Sequence, residues 1–124
     1  MKFMLDTNVV IAVALASGEH IRARMAEHDE GDFVMSVISY AEAVHGSRRG
    51  KPPALDRLEI LVQEVPVLPF DEPAARTYGL LSFRRSSYDR LIGAHALSIG
   101  AMVITNNEID FADVPGLKVE NWTI

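Results

Sequence analysis

The sequence predicts an α/β sandwich, helices packed on a mainly parallel sheet, and three observations carry that reading. Short apolar runs alternate with segments of helical period along the whole chain. The runs are continuously apolar, as strands covered on both faces must be. Polar turn residues separate each run from the next. At 124 residues, 48% of them apolar and 23% charged, the chain fits a single domain (residues 1–124) that can bury a core without covalent staples.

The elements follow in order. Residues 2–5 form a short apolar strand ending in the turn formers Asp6, Thr7 and Asn8, and 9–15 read as a buried helix. Gly18 stops that helix, and 19–30 place Ile21, Met25 and Ala26 on one face of an amphipathic one. After Gly31 and Asp32, residues 33–38 form a second buried strand, with Ser39 the expected cap of a helix over 40–49. Gly50-Lys51-Pro52-Pro53 interrupts, and 54–63 resume with Leu55, Leu58, Leu61 and Val62 at helical spacing. Pro66 and Pro69 confine the strand over 65–70 to an edge. Asp71 caps a helix over 74–83, Arg84-Arg85-Ser86-Ser87 breaks it, and 88–99 form a helix whose Gly93, Ala94 and Ala96 permit close packing. Residues 101–104 are a strand running into Thr105-Asn106-Asn107, and 117–122 add a last short strand after Pro115-Gly116.

Composition excludes several classes of function. The chain has no cysteine, which removes disulfides, thiolate zinc sites and cysteine nucleophiles. Its longest mostly apolar stretch, residues 9–17, is far short of the ~20 residues of a membrane helix. The N-terminus also lacks a signal peptide's apolar region, so the expected location is cytoplasmic. A net charge of −5 argues against holding nucleic acid by bulk charge, while leaving room for a local basic patch or a metal held by carboxylates.

In parallel sheets, ligands sit outside the carboxyl ends of strands. The two ends with the most polar continuations follow Leu5 and Ile104. Four acids lie at or near such positions, and each has an ordinary reading. Asp6 can be an N-cap, and Glu42 stands three residues after Ser39 at capping-box spacing. Asp89 can complement a helix dipole, and Asp110 can be a surface turn residue. Their arrangement lets all four converge at one edge, where they would repel and raise one another's pKa unless a divalent cation supplied the missing charge. Ligation by oxygen alone points to Mg2+ or Mn2+, which can activate water and stabilise the leaving oxygen of a phosphodiester.

The segments that carry these acids also resemble a known family. Met4-Leu5-Asp6-Thr7-Asn8, then Ser36-Val37-Ile38-Ser39-Tyr40-Ala41-Glu42 with Gly46 beyond, then Asp89-Arg90-Leu91-Ile92-Gly93-Ala94-His95-Ala96 stand in order. Thr105-Asn106-Asn107-Glu108-Ile109-Asp110-Phe111 follows, with a closing Val119-Glu120-Asn121-Trp122. Together these resemble the PIN-domain ribonuclease toxins of the VapC type over the whole chain. The resemblance implies a PIN-like three-layer α/β/α sandwich and Mg2+-dependent cleavage of RNA. It also implies inhibition by a cognate VapB-type antitoxin, and a homodimer within a higher toxin–antitoxin complex. By it, Asp6, Glu42 and Asp89 carry over as the acidic core and Asp110 as the fourth acid. The sequence departs from the family in a shortened stretch over 80–88, and in Asn107, where many members carry aspartate. Asn107 would then orient a ligand or water while Asp110 supplies the charge.

Thr7, Asn8 and Thr105 have hydroxyl or amide groups suited to orienting carboxylates, helix capping being the ordinary alternative. Arg84, Arg85 and Arg90 form the densest positive cluster near a candidate acid, with Arg48, Arg49 and Lys51 as a second. Both read either as contacts to RNA phosphates or as solvated surface. Aromatic residues are few, leaving Tyr40 and Tyr88 for base stacking. Glu42 and His45 share the spacing of a di-iron pair, but a second such pair is lacking, so His45 reads as a surface or packing residue. His95 reads as a satisfied buried histidine. Two other functions compete. A haloacid-dehalogenase phosphatase needs an aspartate where Asn8 stands, and an inactive PIN scaffold would bind RNA or a partner without cutting.

Overall fold

β1 (Phe3–Leu5), β2 (Phe33–Ser36), β3 (Val67–Leu68), β4 (Met102–Ile104) and β5 (Val119–Glu120) form one sheet in the order β3-β2-β1-β4-β5. Every pairing is parallel. The computed structural model describes residues 1–82 and 87–124, so Arg84 and Arg85 lie outside the described residues. β1 is central because its three residues are all buried, and the proline-flanked β3 takes an edge, as predicted.

Residues alternate across the sheet with period two, and this builds the layers. Phe3, Leu5, Phe33, Met35 and Ile104 face one way. There they pack with Val9, Val10 and Val13 of α1 (Thr7–Ala14), Ile21 of α2 (Glu19–Met25), Ala43 of α3 (Val37–Arg48), and Leu58 and Leu61 of α4 (Leu55–Glu64). Met4, Val34 and Val103 face the other way, onto Ile92 and Ala96 of α6 (Tyr88–Ser98). α5 (Glu72–Gly79) packs on α6. The result is the expected three-layer α/β/α sandwich. Trp122 closes the first core against Phe3, ring centroids 5.1 Å apart.

Close packing of α6 depends on Gly93. A Cβ there would lie 3.2 Å from Val114 and 3.3 Å from Leu117, leaving no room for a larger side chain without displacement.

The main local departure concerns Ser39. The helix begins three residues earlier than expected, at Val37, and its N-cap is Ser36, whose side chain accepts the Ile38 N–H at 3.1 Å. Ser36 Oγ also meets Nδ1 of buried His95 at 2.8 Å, so the cap is tied to α6 from 59 residues away. This is the satisfied buried histidine expected; burial lowers its pKa, with Asp71 opposing. Ser39 is buried inside the helix, so no Ser39–Glu42 capping box exists and Glu42 is free for other work. Two other helices are shorter than predicted. α2 ends at Met25, with a 3₁₀ turn at Glu30–Asp32, and α5 ends at Gly79. No helix among the described residues is long and apolar enough to cross a membrane.

Candidate active site

Strand register creates the site. Leu5 stands opposite Ile104 in β1 and β4, so the residues that leave these two strands emerge side by side, and the Asp6 N–H donates to Ile104 O at 2.9 Å. Asp6 is both a cap and a site residue, which joins its two readings. It is the N-cap of α1, 5% exposed, with Oδ1 accepting from Thr7 N at 2.7 Å and Oδ2 from Thr105 Oγ1 at 2.8 Å.

A chain of polar contacts extends from it in both directions. On one side, Thr7 Oγ1 donates to Glu42 Oε1 at 2.7 Å, linking α1 to α3. On the other, Thr105 Oγ1 accepts from Asn107 N at 3.0 Å, and Asn107 Nδ2 donates to Asp110 Oδ2 at 2.8 Å. Asp110, in the 3₁₀ turn Glu108–Phe111, also acts on Asp89 of α6, whose carboxyl it helps to push up. Thr105 contacts a carboxylate, the role weighed for it, whereas Asn107, expected to orient a ligand or water, bonds the Asp110 carboxylate. Thr7, weighed at the sequence level as a lesser candidate, is the bridge between two of the acids.

Asp6, Glu42, Asp89 and Asp110 feel one another electrostatically. Burial raises the pKa of Asp6, the bonds from Thr105 and Thr7 oppose it, and Asp110 adds to the rise. Glu42 is raised by burial and by Asp6 against its bond from Thr7. Asp89 is pushed up to about 7, by burial first, then by the charges of Asp6, Asp110 and Glu42. The raised carboxyls of Asp6, Glu42 and Asp89 keep their protons more readily than ordinary acids, and a bound cation would favour their release.

Among the described residues, no three Asp, Glu or His side chains close into a metal cage by themselves. The four acids nonetheless suit a hard divalent ion in two respects: every donor is oxygen, and each of the three shifted acids is disfavoured as an anion. His45 is exposed and accepts from Arg49 Nε at 3.0 Å, away from such a ligand role.

Arg90 corrects an expectation. Read with Arg84 and Arg85 as a cation for RNA phosphates, it is instead 5% exposed, ion-paired through Nη1 to Asp113, with Nη2 donating to Ser82 O at 2.7 Å. Asp113, which the sequence did not single out, lies three residues beyond Asp110. The pair therefore clamps together the two elements that carry Asp89 and Asp110.

The charge coupling makes a stability prediction. Between the ordinary value of 3.8 and about 7, folded Asp89 keeps a proton that the unfolded chain has lost. Metal-free stability should therefore fall as pH rises through that window and level off above it. At mildly alkaline pH, Asp89→Asn is expected to be more stable than wild type by ~0.5–2 kcal/mol, a few degrees in Tm, with the difference vanishing in acid. Added Mg2+ should stabilise the wild type more than the variant. Thermal melts with chelator and then Mg2+ check this. A less stable variant with an undiminished Mg2+ response would make Asp89 a helix-end residue only.

A parallel α/β/α sandwich that gathers Asp6 and Asp110 beyond adjacent strands β1 and β4, with Glu42 and Asp89 on the helices α3 and α6, defines an α/β domain with a carboxylate cluster at the end of its sheet where such folds bind ligands. The PIN domain model matches residues 3–117. A Salmonella typhimurium relative, "tRNA(fMet)-specific endonuclease VapC", is 32% identical, covering 98% of each chain. "Ribonuclease VapC2" of Haemophilus influenzae is 30% identical over 98% of each. The solved DNA-bound VapBC from Salmonella typhimurium superposes with a TM-score of 0.80 at 32% identity, covering 98% of both chains. VapBC-1 from nontypeable Haemophilus influenzae gives 0.84 at 30%, covering 100% of both. The chain belongs to the PIN domain family and, within it, to the VapC group.

Proposed function

We propose that the protein is a Mg2+-dependent endoribonuclease that hydrolyses RNA phosphodiester bonds, the toxin of a type II pair neutralised by a cognate VapB-type antitoxin. The observation that carries this reading is the gathering of Asp6, Glu42, Asp89 and Asp110 from four separate stretches of chain, where burial first and then the charges of the other three push Asp89 up to about 7. A scaffold that only bound RNA or a partner would have no use for acids held at this cost, and phosphate ester chemistry through an aspartate nucleophile is disfavoured by Asn8.

Asp6, Glu42 and Asp89 would hold the ion, with Asp110 completing the charge. A divalent ion bound there supplies the Lewis acidity that activates water and offsets charge on the leaving oxygen. The protein's own part is positioning. Thr7 and Thr105 fix the Glu42 and Asp6 carboxylates through bonds of 2.7 and 2.8 Å, leaving their other lone pairs for the ion. Asn107 holds Asp110 through its amide, and Asp89, its carboxyl pushed up to about 7, would have to give up its proton to serve as a ligand.

The solved VapBC complexes support a VapB-type partner and a higher toxin–antitoxin assembly for this chain, within which the protein would form a homodimer. Arginine's bidentate fit to carboxylates makes it the side chain by which an antitoxin would quench such a site. An RNA substrate accords with a cytoplasmic location.

Chelation is expected to stop RNA cleavage by the purified protein, and Mg2+ or Mn2+ to restore it, because all proposed ligands are oxygens. Restoration by Zn2+ alone would move the site to one involving His45 and overturn the assignment.

A further inference from the structure

α3 carries more than Glu42 along the side that holds it. Ile38, Glu42, His45 and the C-cap Arg49 follow at steps of four, three and four residues, so they line one face of the helix. Beside that face lies a cavity of about 410 Å3, lined among the described residues by Ile38, Ala41, Glu42, His45 and Tyr88. It shares Glu42 with the acid cluster, and Tyr88 directly precedes Asp89. Tyr88 is 61% exposed, an aromatic ring left in water at the rim of the site. At the far end, Arg48, Arg49 and Lys51 are exposed, with Arg49 about 10 Å from Glu42 along the helix axis.

We infer that this cavity takes one unpaired nucleobase of the RNA, next to the bond that is cut, stacked on Tyr88, with Arg49 meeting a neighbouring phosphate. The inference rests on the nuclease reading above. The volume is at the small end for ligand pockets, suited to a base and not to a packed helix. Apart from Glu42 and the polar edge of His45 the walls are apolar and aromatic, as a face that accepts any π system requires. The charges on either side suit a polyanion: acids that bring a phosphate in through a cation at one end, and arginines that bind the phosphate directly at the other. Arg49 Nε is already given to His45 Nε2, which fixes the guanidinium stem and leaves the Nη groups for the phosphate. Recognition of single-stranded RNA through a splayed base explains how a chain of net charge −5 can engage RNA without a general basic surface.

The test uses the purified full chain with Mg2+ and a single-stranded RNA of about twelve nucleotides, in which an abasic residue is walked along the sequence. Tyr88→Ala is expected to lower kcat/KM about 5- to 100-fold, the scale of one lost base–aromatic stack, mainly through KM, while Tyr88→Phe keeps most of the activity. An abasic residue beside the cut should cost the wild type a similar factor and cost Tyr88→Ala nothing further. Ala41→Phe, filling the cavity from the exposed helix surface, should reproduce the loss without touching the acids. If the wild type cuts RNA and both variants cut equally well, the cavity assignment is overturned while the nuclease reading stands. Variants that cut normally but escape a VapB-type antitoxin would give the cavity to the antitoxin, also overturning it. A wild type that cuts no RNA with Mg2+ or Mn2+ would overturn the nuclease reading itself, and the cavity assignment with it.

Discussion

Asp6→Asn is expected to reduce RNA cleavage by about 10²–10³-fold, the scale of losing one group that stabilises transition-state charge, while leaving the protein folded. The substitution keeps the shape of the side chain. The amide oxygen can still accept the Thr7 N–H now held at 2.7 Å, and asparagine is as good an N-cap as aspartate. The amide nitrogen can take the place of Oδ2 beside Thr105 Oγ1, since a hydroxyl can reverse from donor to acceptor. What is lost is the charge at the centre of the cluster. Because the pKa of Asp6 is already raised by burial, its loss carries no stability penalty of the usual buried-charge kind. Cleavage of single-stranded RNA in Mg2+, with a melting curve on the same sample, checks both halves. Wild-type cleavage or growth inhibition by the variant would remove Asp6 from the site.

Arg90→Met should lower stability by about 3 kcal/mol, on the order of 10 °C in Tm for a domain of this size. The Arg90 side chain is 6% exposed, and Asp113 opposite it is 30% exposed. Removing the arginine takes a counter-charge from Asp113 and a donor from Ser82 O, and the partial exposure of Asp113 keeps the cost at the lower end for broken buried pairs. Methionine retains much of the buried stem, so the loss reports the head group and not a cavity. Urea unfolding of the two proteins measures it. Since the pair joins the α6 start to the turn bearing Asp110, cleavage should fall as well. A variant as stable as wild type that bound RNA less tightly, with a shallower salt dependence, would instead restore Arg90 as a phosphate contact.

The parallel sheet was legible because its signal is local. A run such as Phe3-Met4-Leu5 has no polar position to show to water, so it must be covered on both faces, and all three residues are buried. The edge position of Val67–Leu68 was equally legible, since Pro66 and Pro69 lack the N–H groups a central strand would need. The choice between Ser36 and Ser39 as cap was not. Both can accept a helix N–H, and Val37 and Ile38 favour strand by propensity. The decision comes from His95, which meets Ser36 from another helix, and from the pairing of Ser36 with Leu68.

The candidate site divides in the same way. The four acids could be picked out by their place at or near strand ends, although each taken singly had an ordinary capping, dipole or turn reading, and only their arrangement marked them. By itself the sequence determined the layered α/β architecture, the kind of donor atom at the site, and hence the class of cation that would suit it. Those properties depend on residue type and short-range periodicity. Only the tertiary structure decided which contacts the acids make. Leu5 had to stand opposite Ile104 for Asp6 to reach Thr105, and Thr7 had to meet Glu42 across 35 residues. It also turned Arg90 inward, because Asp113 lies within its reach once the chain is folded. A side chain's partner is set by distance in space, and residues 23 to 99 positions apart become neighbours only through strand register and helix packing.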